Sequence, residues 1–141
     1  MTRALVGIAL EGIRSAGVEV TLPQFRLLLA LEGLGRVPSS RVAARLGLAA
    51  SAITRMVDRL ERGGLVQRGD DEGNRSIVTV ELTAAGCRLV ADVRARRQAR
   101  LAAVLDEMSP RDREAAVRTA RQFTLLGGDA VAPGAAGPVP L

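Results

Sequence analysis

Between Ala50 and Arg62 the chain reads ASAITRMVDRLER, and its polar side chains are not scattered. At about 100° per residue, Ser51, Arg55, Asp58 and Arg62 share one side of a helix, with Thr54 and Arg59 on its flanks. Ile53, Met56, Val57 and Leu60 form the opposite stripe. The apolar stripe would hold such a helix on a protein body and leave hydroxyls and guanidinia outside. Those groups hydrogen-bond base edges and hold phosphates, so the chemistry implied is readout of duplex DNA in the major groove. Bond-making chemistry is not implied. The chain has no His, no nucleophile–base pair, no phosphate-cradling glycine loop and no cluster spaced like metal ligands. We therefore expect no enzyme, no metal and no cofactor.

Other elements must position that helix. Ahead of it, Val42, Ala43 and Leu46 lie on one face of a short helix that Ser39 can cap. Gly47 permits a sharp turn, and Leu48 is expected to plug the corner, giving helix–turn–helix. Behind it, Gly63-Gly64 stops the helix by a left-handed turn. Leu65 to Arg68 then reads as a strand, Gly69 to Asn74 as a polar turn, and Ile77 to Leu82 as the returning strand. Helix–turn–helix plus β-hairpin is a winged helix. Ser51, Thr54 and Arg55 are the candidate base readers; Arg59 flanks them, and Ser39, Arg41 and Arg62 are candidate phosphate contacts. Arg75 sits at the wing tip, where a guanidinium could enter the minor groove, and Arg68 lies near the wing base.

SSRVAARLGLAASAITRMVDRLERGGLVQR, an acidic wing and then VTVELTAAG resemble the MarR family of bacterial winged-helix regulators. The match in order and spacing runs over about residues 22–126 and is strongest from Val42 to Gly86. Wings of that family usually carry Asp-x-Arg before the returning strand. Here Asn74 and Ser76 stand at those places, with Arg75 one position early as a stand-in, and Ala49 replaces a polar cap. The resemblance implies a third short strand near Arg36-Val37 and a homodimer built from terminal helices. It also implies a small aromatic or anionic effector bound where the dimer lobe meets the DNA lobe. Ile13, Phe25, Leu29 and Arg94 are the candidate pocket residues, although core packing also accounts for the apolar ones. Cys87 does not match the N-terminal position of the family's peroxide-sensing cysteines, and we read it as an ordinary thiol.

Length and charge fit this reading. A chain of 141 residues with 48% apolar and 25% charged residues is of globular composition and long enough for one domain with its own core. A net charge of +5, carried entirely by Arg, favours polyanionic partners. The single Cys excludes an internal disulfide. Ala4 to Leu10 is apolar, but Glu11 and Arg14 cut it short, so it is no membrane span and no secretory signal, and we expect the cytoplasm.

The expected fold is mainly α with a small wing and six helices. The first would cover Met1 to Ala16, weakened by Gly7 and Gly12 and in need of packing to persist. Thr21-Leu22-Pro23 starts the next. Thr83 caps a long helix from Ala84 to about Glu107, apolar at both ends and polar between, as a bridge between two packed bodies would be. Ser109-Pro110 starts the last, with Ala116, Val117, Ala120, Phe123 and Leu126 on one stripe. We expect one domain over 1–126, with a DNA lobe at about 34–86, a dimerisation lobe from 1–20 and 87–126, and a disordered tail over 127–141. The terminal helices hold more apolar surface than one copy can cover, so two copies should bind an approximate inverted repeat of double-stranded DNA. The alternative is a ligand-sensing or protein-interaction module with weakened DNA binding.

Overall fold

The computed structural model describes Gly7, Glu11, 19–71, Gly73, Asn74 and 76–127. Five helices and a three-stranded antiparallel sheet lie among these residues. They run α1 (Leu22–Leu34), β1 (Val37–Pro38), α2 (Ser39–Leu46), α3 (Ala50–Arg62), β2 (Val66–Asp70), β3 (Val78–Leu82), α4 (Ala84–Asp106) and α5 (Pro110–Gly127). The count is five rather than the expected six, because of the helix expected over 1–16 only Gly7 and Glu11, both helical, are among the described residues; Ile13, Arg75 and the tail from 128 lie outside them. No helix among the described residues is long and apolar enough to cross a membrane.

α1 starts with a reciprocal cap. Thr21 Oγ1 accepts from Gln24 N, and the Gln24 side chain accepts from Thr21 N at 2.8 Å. This satisfies backbone donors that have no helical partner. α1 then buries Leu27, Leu28 and Leu31 almost completely. Val42 of α2, Ile53 and Val57 of α3, Val66 and Val80 of the sheet and Val90 of α4 close the core around it. The sheet order is β1-β3-β2, with Val37 opposite Val80 and Val66 opposite Leu82. Pro38 is tolerated because β1 is an edge strand with no second neighbour to donate to.

Two turns set the angle of α3. Gly47 (φ 64°) and Gly64 (φ 69°) both occupy the left-handed region, where a Cβ is penalised. Leu48 N donates to Ala43 O at the first, and Leu65 N donates to Leu60 O at the second. Both are the six-to-one bond of a Schellman ending. Gly63, expected to share the left-handed stop, is right-handed (φ −78°); the reversal belongs to Gly64 alone. Ser39 does not cap α2: it is the first helical residue, Pro38 precedes it, and no side chain closes that end. Leu48 is 39% exposed rather than plugging the corner, since the turn is held by backbone hydrogen bonds.

Thr83 caps α4 as expected and does more. Its hydroxyl accepts from Gly86 N at 3.1 Å and donates to Gly64 O at 2.6 Å, joining the start of α4 to the exit of α3. Thr83→Ala is expected to cost about 1 kcal/mol of stability, the usual value of a lost cap, measurable by urea denaturation. Beyond Val93, α4 has no buried residue. α5 is tied to the end of α4 by Arg113, whose Nε donates to Leu105 O at 2.8 Å. Ser109 caps α5, accepting from Asp112 N at 3.2 Å.

Candidate nucleic-acid interface

α3 has the bounds expected for it, Ala50–Arg62. Ile53, Val57 and Leu60 are buried against the core, and Met56 is half-buried. Ser51, Thr54, Arg55, Arg59 and Arg62 are exposed. The Thr54 hydroxyl donates to Ala50 O at 3.0 Å and Arg62 Nε donates to Asp58 O at 3.1 Å, both inside α3 itself. No other element draws these five side chains into the fold among the described residues. Arg41 is exposed on α2 and Ser39 is half-buried at its start, so both stand on the helix preceding the candidate reader.

The wing is built on the other side of α3. β2 reaches Asp70, two residues past the expected strand, because Gly69 and Asp70 pair with Thr79 and Val78. At the tip, Asp71 Oδ1 accepts from Gly73 N at 2.8 Å and Asn74 N at 3.2 Å, and Asn74 Oδ1 accepts from Ser76 N at 3.0 Å. Asn74 therefore acts as a turn former through its amide oxygen, the group it shares with Asp. Ser76 is exposed.

Three residues that tie the wing to the fold escaped the sequence reading in their actual roles. Arg36 was legible only as a strand neighbour. Its Nε donates to Thr79 Oγ1 at 3.1 Å and its Nη2 to Asp70 O at 3.0 Å, crossing Gly69 where a side chain would stand. Thr79, itself only 3% exposed, passes the chain of bonds on to Gly69 O. Arg68, recognised only as near the wing base, meets Asp58 and Glu61 of α3. No periodicity signals either guanidinium, because the partners are 34 and 43 residues away for Arg36 and lie across a turn for Arg68.

Of the effector candidates, Phe25, Leu29 and Arg94 lie among the described residues. Phe25 is core, Leu29 packs on the core, and Arg94 pairs with Glu32 of α1 at 2.5 Å. A cavity of about 590 Å³ lies between the start of α1 and the end of α3, with Thr21, Gln24, Arg59 and Leu65 in its wall. Cys87 is exposed in the first turn of α4.

Short helix, tight turn, outward-facing polar helix and β-hairpin together define a winged helix–turn–helix protein. The MarR family model matches residues 20–78. A MarR family protein from Bacillus stearothermophilus is 30% identical in structure-based comparison, with 89% of each chain covered and a TM-score of 0.70. RV1404 from Mycobacterium tuberculosis is 34% identical, with 90% of this chain and 87% of that one covered and a TM-score of 0.82. The chain belongs to the MarR family. Among curated sequences, the uncharacterized HTH-type transcriptional regulator YfiV of Bacillus subtilis is 29% identical over 98 residues, which are 70% of this chain and 61% of YfiV. The chain thus matches less than two thirds of that relative's length.

Proposed function

We propose that this protein is a dimeric, sequence-specific DNA-binding transcriptional regulator, acting as a repressor that a small aromatic or anionic effector releases. The observation that carries this is the outward face of α3, which keeps Ser51, Thr54, Arg55, Arg59 and Arg62 exposed beside a folded wing. Hydroxyls and guanidinia on a helix free to enter the major groove are the equipment of direct readout. The dimer is supported by unburied apolar side chains. Val104, Met108, Val117, Phe123, Leu125 and Leu126 are all exposed on α4, α5 and their junction, Leu126 to 89%. A soluble chain covers such a patch with a partner, and a two-fold axis needs only a second copy. An effector entering the α1–α3 cavity would meet Arg59 and so compete with DNA.

The test is titration of a labelled duplex from upstream of the protein's own coding sequence against a scrambled duplex. Specific binding about a thousandfold tighter than to the scrambled duplex is expected; equal affinity for both would reject the reading. Within this assay Arg62→Ala is expected to weaken all duplexes alike. It should also reduce the slope of log K against log salt by about one unit.

A further inference from the structure

The outward helix carries two carboxylates, Asp58 and Glu61, one turn apart. Both stand on an element that must approach a polyanion. Inside the Debye length, about 8 Å at physiological salt, a bare carboxylate repels phosphate. Neither is bare. Arg68 of β2 donates through Nη2 to Asp58 Oδ1 at 2.5 Å and through Nη1 to Glu61 Oε2. One planar guanidinium thus bridges two carboxylates of one helix, a geometry that an ammonium does not reproduce. The Asp58 hydrogen bond, outweighing partial burial, raises the Arg68 pKa above its ordinary value, reinforcing a charge that a guanidinium carries at physiological pH in any case. Arg68 sits opposite Val80 on the central strand, so the bridge also joins the root of the wing to α3.

We propose that Arg68 is a positioning residue for DNA recognition: it cancels the two carboxylates of α3 and fixes the wing against that helix, without itself touching DNA. The inference rests on the DNA-binding reading above. Half-exposed ion pairs add little to stability, so the effect falls on affinity rather than on folding. If Arg68 touched phosphate instead, its removal would cost the same whether or not the carboxylates were present.

A double-mutant cycle separates the two roles. In the full-length protein, R68Q is expected to weaken binding to the preferred duplex about tenfold. In a D58N/E61Q background the same R68Q change is expected to cost less than about twofold, because no uncompensated carboxylate remains. The thermal midpoint should stay within about 5 °C throughout. A wild-type protein that binds no duplex overturns the functional reading itself. A wild-type protein that binds, with R68Q harmless or equally costly in both backgrounds, overturns the role of Arg68 alone. A loss of affinity that tracks a larger fall in midpoint assigns Arg68 to the fold and overturns it too.

Discussion

Arg55→Ala is expected to weaken binding to the preferred duplex by about 1–3 kcal/mol and to relax preference at one base-pair position. Arg55 lies on the second turn of α3, exposed, with no ion pair or hydrogen bond from another element among the described residues. It is therefore available, and its neighbours Ser51 and Thr54 are available with it. A guanidinium in the major groove donates two parallel bonds to guanine, which no other base accepts in that pattern. The contrast with Arg62→Ala is diagnostic. Loss of a phosphate contact lowers affinity for every sequence, whereas loss of a base reader flattens the differences among them. A panel of duplexes varied one base pair at a time measures both. Unchanged sequence preference in Arg55→Ala would remove Arg55 from the reading role.

Gly86→Ala should destabilise the fold by about 2–3 kcal/mol, with the sign opposite to what helix propensity predicts. Gly86 is buried in the first turn of α4, where alanine would gain about 1 kcal/mol from propensity alone. Its missing Cβ would stand 2.1 Å from Leu65 O and 3.1 Å from Leu65 C. Leu65 O already accepts from Thr83 N at 3.1 Å, so the carbonyl is fixed between the end of α3 and the start of α4. Backbone at that distance must move; overpacking typically costs about 1–3 kcal/mol and occasionally more, and so short an approach to a fixed carbonyl belongs at or above the top of that range. The steric cost exceeds the propensity gain. Urea denaturation reads the difference; a stabilised Gly86→Ala protein would show that α4 and β2 slide freely, against the packing described here. Because Leu65 leads directly into β2, the same change should also lower DNA affinity.

The elements were legible where local signals agreed. α3 was legible to the residue: its apolar stripe, its outward polar face and the glycines after it all point to one solution. The cap of α4 was equally plain, since Thr83 precedes an unbroken helical run. The hidden features depend on distant backbone. Nothing beside Gly86 in sequence announces the Leu65 carbonyl, 21 positions earlier, that occupies its side-chain space. Ser39 looked like a cap because serine usually is one, yet Pro38 already brings the chain into α2 in extended geometry. In sequence Arg68 is only a charge near the wing base and Arg36 only part of a short strand, but each is drawn into the fold: Arg68 by carboxylates of α3, Arg36 by Thr79 and a strand carbonyl. Charge on a sequence gives the field, and only the fold shows which charges remain for a partner.

The exposed apolar ends of α4 and α5 and the outward face of α3 belong to one claim, that two copies present paired helices to neighbouring grooves of one duplex. Half-sites read this way are centred about 34 Å apart. The most direct measurement is footprinting of the bound duplex together with the mass of the complex in solution. Two chains per duplex, protecting an inverted repeat with half-sites about one helical turn apart, is the predicted result. A single chain on the duplex, or two chains that associate and protect no DNA, would contradict it.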